Sequence, residues 1–396
     1  MKEEYMILRV PRPTVNDPFL GPLAGGAGVE AAPKVEVDEM ERREIRALTR
    51  DPEVLAVAPV MPLRLIAPVK QEEVAGGAAA PAAPPVEWGV KAVGADTSPF
   101  TGEGVVVAVL DTGIDAGHEA FAGVQIEQRD FTGEGDGDTH GHGTHCAGTI
   151  FGRTVGGRRI GVAQGVKRAL VGKVLGAGGG GSDKIAAAIQ WAAEGGANVI
   201  SMSLGMDFPG FVETLVGRFG MPIPAATSRA LEGYRSNVQL FERLAALIAG
   251  QEMFLRSSIL VAAAGNESER PSFEIAVSPP ARSNGFVSVA ALGRDGGGGL
   301  SVAGFSNTFA DVSGPGVDIV SASPGGGFAV MSGTSMATPH VAGVAALWAE
   351  KIRKTTGSLN SRQLTARLIG SASFDGFSGA FDPLDVGAGL VRAPQS

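Results

Sequence analysis

Continuous apolar runs alternate with helical segments along the chain from about residue 88 onward. The runs "GVVVAVLD", "NVISMSLG" and "SILVAAAGN" have the length of strands, whereas "SMATPHVAGVAALWAEKI" reads as a long apolar helix. Strands that are apolar at every position and separated by helices are typical of a parallel sheet with both faces covered. We therefore predict an α/β fold with a mostly parallel sheet and helices on both of its faces.

The segment "SDKIAAAIQWAAEGG" predicts one of the covering helices. Ser182 stands where an N-cap hydroxyl would accept a hydrogen bond from the first turn. Gly195 and Gly196 follow the last helical position and are expected to end the helix.

The pattern differs before residue 88. Strand-like pieces "YMILRV", "VLAVAPV" and "LRLIA" surround one charged helix, "EMERREIRALTR", which Asp51-Pro52 should end. The stretch "VKQEEVAGGAAAPAAPPVE" is rich in Ala, Gly and Pro and lacks a core pattern, as linkers do. We predict a small α+β domain over residues 1–67, a linker over 68–87 and a main domain over 88–396.

Composition narrows the class of protein. Hydrophobic residues make up 44% and charged residues 19% of the 396, which indicates a globular chain. A net charge of −8 gives no sign of nucleic-acid or anionic-membrane binding, and no apolar run is long enough to span a bilayer. The single cysteine, Cys146, precludes an intrachain disulfide. We expect a monomer.

The N-terminus "MKEEYMILRV" has acidic residues where a signal peptide has basic ones, and no apolar core follows them. The expectation is a cytoplasmic protein, or a secreted one if a leader has been removed.

Three of the predicted strands end in polar groups. Asp111 ends the first, Ser203–Gly205 the second and Asn266 the third. Ligands of parallel sheets bind beyond the carboxyl ends of the strands. A carboxylate, a free backbone edge and an amide should therefore gather along one rim of the sheet.

Four of the five histidines lie between residues 118 and 145, around "DTHGHGTHCAGTI". One interpretation makes His140, His142 and His145 a zinc cluster. Against it, the interleaved glycines favour a turn into a helix, and no second cluster of Cys or His would complete a site. We expect His145 and His340 to be buried core residues, and His142 to lie with the polar groups at the rim of the sheet.

Ser335 in "SGTSMATPHVAG" stands at the start of the long apolar helix. Helix capping alone would account for a serine there. A nucleophilic role needs a base and an orienting partner, which His142 and Asp111 can supply. The Asn266 amide and the Ser335 backbone N–H can stabilise an oxyanion.

The segments "VAVLDTGID", "HGHGTHCAGTI", "SMSLG", "AAAGNE" and "GTSMATPHVAG", in this order, resemble the subtilisin-like (subtilase) serine proteases, and the likeness extends from about 88 to 392. The resemblance implies a subtilisin-like fold and a catalytic triad of Asp111, His142 and Ser335 with Asn266 as oxyanion donor. It implies that Cys146 lies beneath the histidine. For the substrate cleft it implies Ser203, Leu204 and Gly205 as the strand that pairs with substrate, together with Ala263, Ala264, Gly265 and Glu267.

The first 67 residues resemble the subtilase propeptide, an inhibitor-like module whose C-terminal tail caps the cleft. The tail here would be about "PVMPLRLIAPV". The resemblance implies a self-inhibited zymogen in which the chain's own N-terminal domain is an intramolecular inhibitor. The alternative is a stabilising appendage.

Two departures from the family are visible. An insertion over about 206–256 is predicted to form a lid or extra wall of the cleft, the alternative being a surface helix that buries its own apolar stripe. That stripe comprises Leu231, Val238, Leu240, Phe241, Leu244 and Leu247.

The second departure concerns calcium, because Ala120 stands where the family commonly has an aspartate ligand. Glu134, Asp136 and Asp138 could bind calcium instead, or form a solvated acidic loop. Calcium stays open as a cofactor, and no metal site is assigned.

The predicted function is a serine endopeptidase that hydrolyses protein or peptide substrates through an acyl-enzyme. The alternative is a catalytically silent, peptide-binding pseudoprotease. An esterase of the α/β-hydrolase fold would have its serine in G-x-S-x-G, which "GTSMA" does not match. The preference beside the cleaved bond stays open, because Glu267 would favour a basic residue and Val277 would narrow the pocket.

Overall fold

The computed structural model describes residues 2–10, 33–74, 85–250, 257–379 and 381–396. The strands are Lys2–Arg9 (β1), Lys34–Glu41 (β2), Val54–Pro59 (β3), Pro62–Leu65 (β4), Lys70–Val74 (β5), Val106–Asp111 (β6), Gln125–Asp130 (β7), Thr154–Val155 (β8), Arg158–Arg159 (β9), Arg168–Lys173 (β10), Gly180–Gly181 (β11), Val199–Met202 (β12), Leu204–Met206 (β13), Ile259–Ala263 (β14), Phe286–Arg294 (β15), Leu300–Val302 (β16), Val312–Pro315 (β17), Ile319–Ala322 (β18) and Phe328–Ser332 (β19).

The helices are Arg42–Leu48 (α1), Trp88–Ala92 (α2), His142–Phe151 (α3), Ser182–Glu194 (α4), Phe208–Gly217 (α5), Ile223–Gly250 (α6), Thr334–Thr356 (α7), Ser361–Gly370 (α8) and Pro383–Val386 (α9), with a 3₁₀ turn at Glu119–Phe121. Among the residues described, no helix combines the length and the apolar character that crossing a membrane would require.

The central sheet has the order β16-β15-β14-β12-β6-β10-β7, with β17 also paired to β15. Its pairs are parallel except for the antiparallel pair of β15 with β16. Alternate residues of β6 enter different cores, Val107 and Val109 on one face and Val106, Ala108 and Leu110 on the other. This two-sided burial explains the continuous apolar runs, and the predicted α/β fold class is confirmed.

The N-terminal sheet, β2-β1-β3, is antiparallel and also has two buried faces. One face packs Tyr5 and Ile7 under α1, while Met6 and Leu8 enter the core of the main domain. The predicted charged helix was placed too early, because residues 39–41 belong to β2 and the helix begins at Arg42. β2 was missed, although "KVEVDEME" contains the alternation expected of a half-buried strand.

The insertion forms α5 and α6, and α6 packs against β3, α4 and α5. Asn237 of α6 donates a hydrogen bond from Nδ2 to the Pro59 carbonyl at 2.9 Å. α6 thus supports the N-terminal sheet, while α5 contacts β4 and the Asp207 N–H before it donates to the Pro62 carbonyl at 3.0 Å, so the lid or extra wall of the cleft stays a prediction. Leu231, assigned to the apolar stripe, is 56% exposed, because the packed face of α6 passes through Ala230 and Gly233.

Ser182 does not cap α4. Gly181 holds the N-cap position, and Ser182 is the first helical residue. Its hydroxyl accepts a hydrogen bond from the Met61 N–H at 3.0 Å, and its own N–H donates to the Met61 carbonyl at 2.9 Å. Ser182 thus ties the main domain to the residue that precedes β4. The helix ends at Glu194 with Gly195 as its C-cap, as predicted.

Candidate active site

Asp111 and His142 form a buried pair at the rim of the central sheet. Asp111 is the last residue of β6, and His142 is the first of α3. His142 Nδ1 donates to Asp111 Oδ1 at 2.8 Å, and both side chains are almost completely buried. Burial alone would lower the pKa of the imidazole, but the Asp111 carboxylate outweighs it and holds the pKa of His142 well above its ordinary value.

Asp138 holds the turn that leads into α3. Its carboxylate accepts hydrogen bonds from the Gly141 N–H at 2.8 Å, from the Thr144 N–H and hydroxyl at 2.8 and 2.7 Å, and from the Thr112 hydroxyl at 2.9 Å. Burial alone would raise the pKa of Asp138, but these donors lower it below its ordinary value. Asp138 therefore positions the segment that carries His142, a role the sequence analysis missed.

The acidic loop does not fit a calcium site. The oxygens of Asp138 are engaged by donors of the protein itself. Glu134 lies 3.4 Å from the Lys173 ammonium and accepts a hydrogen bond from the Ala177 N–H at 2.8 Å. A cation would have to displace these donors, so no step of the chemistry is assigned to calcium.

Ser335 lies in the first turn of α7 and is buried. Its hydroxyl donates to the carbonyl oxygen of Ile66 at 2.7 Å. His142 Nε2 is buried and has no hydrogen-bond partner within the described part of the chain. The nucleophile candidate is thus bonded to a peptide carbonyl of the N-terminal region, and the base candidate keeps its second nitrogen available.

Asn266 follows the end of β14 and faces the same peptide. Its Nδ2 donates to the Ala67 carbonyl at 2.9 Å, while its Oδ1 accepts from the Thr334 N–H at 2.8 Å and the Thr334 hydroxyl at 2.9 Å. Gly333 permits this approach, since a Cβ there would stand 2.9 Å from Asn266 Nδ2. Thr334 fixes which end of the amide points into the cleft.

The backbone edge predicted to bind substrate is occupied by the chain itself. Residues 62–74, here called the cleft segment, cross the site from β4 to β5. β4 pairs antiparallel with β13 on one side and with β11 on the other, placing Arg64 opposite Gly205 and Leu65 opposite Leu204. The Ile66 N–H donates to the Ser203 carbonyl at 3.4 Å.

Beyond the polar rim the cleft segment pairs again. β5 runs antiparallel to β19, with Lys70 opposite Ser332, and the Val69 N–H donates to the Ser332 carbonyl at 2.8 Å. Residues 70–74, assigned to the linker from composition, are therefore a strand. The rest of that predicted linker, up to residue 84, lies outside the described residues.

The remaining cleft residues line the wall next to Asn266. Ala263, Ala264 and Gly265 are buried, and the Gly265 N–H donates to the Thr334 hydroxyl at 3.2 Å. Glu267 is partly exposed and lies 3.0 Å from the Arg64 guanidinium. Val277, considered as a pocket wall, is buried in the same apolar cluster as Ala264.

Cys146 lies beneath the imidazole, with its sulfur 3.8 Å from His142 Nδ1 and 3.4 Å from the Ser335 carbonyl oxygen. Burial raises the pKa of the thiol. A thiol whose pKa is raised is a poor nucleophile and a poor metal ligand near neutral pH.

The trio of His140, His142 and His145 does not assemble. In the described ranges, the one group of metal-ligating side chains close enough to share an ion is Asp111, His142 and Cys146. His145 and His340 are buried against carbonyl oxygens, and burial lowers the pKa of His145 to about 3 and that of His340 to about 4.

Comparison with known proteins places the chain in a family. A profile of the subtilase family matches residues 102–388, more than half of the chain. Subtilisin-like protease 6 of Trichophyton verrucosum is 37% identical over 254 residues, 63% of this chain and 52% of the relative. Subtilisin-like serine protease Pen ch 13 of Penicillium rubens is 32% identical over 323 residues, 77% of this chain and 66% of the relative. The chain thus spans about half the length of the Trichophyton relative. It belongs to the subtilase family.

Proposed function

We propose that this chain is a serine endopeptidase that is made in a latent form. Asp111, His142 and Ser335 are its catalytic triad, and Asn266 donates to the oxyanion. The observation that carries the proposal is a peptide of the chain itself lying across the site. Adjacent carbonyls of that peptide, from Ile66 and Ala67, meet the Ser335 hydroxyl and the Asn266 amide.

The chemistry follows from the positions of these groups. In the open enzyme His142 Nε2 takes the Ser335 hydroxyl proton as Oγ attacks the substrate carbonyl carbon, and Asp111 stabilises the imidazolium. The oxyanion accepts hydrogen bonds from Asn266 Nδ2 and from a backbone N–H at the start of α7. The imidazolium then protonates the leaving amine, the amine departs and an acyl-enzyme remains. Water hydrolyses the acyl-enzyme by the same proton transfers in reverse.

The cleft segment is bound as an inhibitor and not as a substrate. Attack requires one carbonyl whose carbon meets Ser335 Oγ and whose oxygen meets Asn266. Here the serine hydroxyl is hydrogen-bonded to the oxygen of Ile66, and Asn266 to the oxygen of Ala67. The next residue, Pro68, contributes a tertiary amide nitrogen with no N–H. The Ser335 hydroxyl and the Asn266 amide thus bond to two different carbonyls, so neither the peptide bond after Ile66 nor the one after Ala67 is positioned for hydrolysis.

The test of the catalytic proposal is casein hydrolysis by the full chain and by Ser335→Ala. Wild type should cleave casein, and Ser335→Ala should retain none of that activity above background. Ser358→Ala, which removes an exposed hydroxyl beyond the C-terminal end of α7, is the matched control. Equal rates for wild type and Ser335→Ala would refute the triad. An inactive wild type that still binds peptides would favour the pseudoprotease instead.

The test of latency is the mass of the purified protein against its activity over time. Wild type should acquire activity together with a break in the chain between about residues 67 and 88, and Ser335→Ala purified alone should stay intact. An uncut wild-type chain with full activity would remove the inhibitory role of the N-terminal region.

A further inference from the structure

Arg64 extends from the middle of the cleft segment to two carboxylates of the main domain. Its Nη2 lies 3.0 Å from Glu267 Oε1, and its Nη1 lies 3.4 Å from Asp207 Oδ1. Asp207 is the first residue after β13, and Glu267 follows Asn266. Both acids therefore contact the Arg64 side chain of β4, the strand that pairs with β13 where a substrate would pair.

Each carboxylate is held by contacts that do not involve Arg64. Asp207 is the N-cap of α5 and accepts a hydrogen bond from the Gly210 N–H at 3.1 Å. Glu267 accepts from the Asn307 amide at 2.7 Å, and Asn307 is completely buried. Because these contacts belong to the main domain, the pair remains oriented toward the cleft after the cleft segment leaves.

The strand register assigns Arg64 a position relative to the reacting bond. The Ile66 N–H pairs with the Ser203 carbonyl and the Ile66 carbonyl meets the Ser335 hydroxyl, so a substrate in the same strand register has the residue before the cleaved bond at the position of Ile66. Arg64, opposite Gly205, is then the third residue before that bond. Leu63 and Ile66 are buried, whereas the Arg64 side chain stays 45% exposed.

We infer that Asp207 and Glu267 are specificity-determining residues that select a basic side chain at the third substrate residue before the cleaved bond. The inference rests on the proposed peptidase function and adds a substrate class to it: segments in which a basic residue stands between apolar ones. The cleft segment, "PLRLI", has this composition.

The expected selectivity is moderate because the pair is partly exposed. Asp207 and Glu267 are 26% and 34% exposed, and ion pairs at such sites are weakened by water and salt. Two of them acting together correspond to a preference of about two- to thirtyfold for arginine over glutamine. Glutamate at that position should be cleaved more slowly than glutamine, because it meets like charges.

The experiment compares three peptides, acetyl-Pro-Leu-Arg-Leu-Leu-aminomethylcoumarin and its counterparts with Gln or Glu in place of Arg. Release of the coumarin fixes the cleaved bond, so the variable residue is always the third before it. The full-length chain is incubated until its casein activity is constant, and kcat/KM is then measured at low and high salt. We expect Arg above Gln above Glu, mainly through KM, with the differences shrinking as salt is added.

The variants Asp207→Asn, Glu267→Gln and their combination should bring the ratio of the Arg to the Gln peptide stepwise toward one. The ratio is internal to each preparation, so partial loss of folded protein does not affect it. Glu269→Gln, an exposed carboxylate two residues from Glu267, is the matched control and should keep the preference.

Two results would overturn the inference. Equal kcat/KM for the Arg and Gln peptides in an enzyme that cleaves casein would show that Arg64 serves only to hold the N-terminal region. A preference that persists in the double variant would show that groups other than Asp207 and Glu267 select the basic residue. Absence of casein cleavage would instead remove the proposed function and the inference with it.

Discussion

The proposed catalytic residues and the N-terminal region that covers them are held by different kinds of interaction. Asp111, His142, Asn266 and Ser335 lie at the ends of core strands and helices, and short polar contacts orient them. The N-terminal region is held by strand pairing with β11, β13 and β19, by one apolar face and by ion pairs of Glu3 and Arg64. If the proposed function is right, catalysis depends on the placement of a few atoms, whereas inhibition by the N-terminal region depends on many separate contacts.

The apolar face of the N-terminal region is an example of attachment through many separate contacts. Met6, Leu8 and Met61 are buried in the same core as the helices of the main domain. Side chains of this size contribute about 1.5–3 kcal/mol each when buried, so a few are enough for tight attachment. Removing any one of them weakens the attachment without abolishing it. Loss of one functional group among the proposed catalytic residues cannot be compensated by the others.

The largest effect is expected for Asp111→Asn. Loss of the carboxylate that orients His142 should lower kcat by about 10⁴-fold. The His142 imidazole must be neutral to accept the serine proton. The kcat/KM of wild type therefore falls as pH decreases through the pKa of His142, which the Asp111 carboxylate raises. Removing the negative charge lowers that pKa, and the acidic limb of the profile should move to lower pH.

The measurement for this prediction is kcat/KM as a function of pH. Asp136→Asn, in the exposed acidic loop, is the control and should leave both rate and profile unchanged. An acidic limb at the same pH in Asp111→Asn and wild type would contradict the pairing of Asp111 with His142.

The next effect is expected for Asn266→Ala. Loss of one oxyanion donor in enzymes of this family costs about 10²–10³-fold in kcat. Because the donor acts on charge that develops in the transition state, KM should change little and the pH profile should stay as in wild type. A large rise in KM with unchanged kcat would show that Asn266 binds substrate without stabilising the oxyanion.

A smaller effect, confined to latency, is expected for Arg229→Met on α6. The Arg229 guanidinium is buried and lies 2.5 Å from Glu3 Oε2 of β1, and it also contacts the Tyr5 hydroxyl. Removing one partner of a buried ion pair destabilises the folded structure by about 3–5 kcal/mol, because the other charge stays buried and unpaired. The lag before casein cleavage should shorten at least several-fold, while the final kcat is unchanged.

Arg235→Met, at an exposed position of the same helix, is the control and should keep the wild-type lag. Adding Glu3→Gln to Arg229→Met should restore part of the lag, because no unpaired carboxylate remains. An unchanged lag in Arg229→Met would show that the ion pair does not contribute to the inhibited state.

The smallest effect is expected for Cys146→Ala. The thiol is buried, its pKa is raised, and it contacts His142 only at 3.8 Å. Activity should stay within about threefold of wild type, with a loss of about 1 kcal/mol in the free energy of unfolding. An organomercurial that inhibits wild type should not inhibit the variant. Loss of all activity would give the thiol a role that its geometry does not support.

Three strands of the central sheet, the helices α4 and α7 and the polar residues at the strand ends could be predicted from the sequence alone. These features follow from local rules, since an apolar run buried on both faces has few alternatives and parallel strands bring their carboxyl ends to one edge. Asp111 and Asn266 could be selected in this way, and His142 and Ser335 from their positions at the starts of predicted helices. The resemblance to a known family rested on the same segments.

The way in which the N-terminal region contacts that site could not be predicted from the sequence. β5 has no apolar pattern, and it forms because the free edge of β19 lies beside it. Ser182 could cap a helix by any local rule, yet its hydroxyl bonds to Met61, and Leu231 is exposed because β3 packs on another face of α6. The partners of an edge strand, a hydroxyl or a helix face lie far away in the chain, so the segments that contain them cannot specify them.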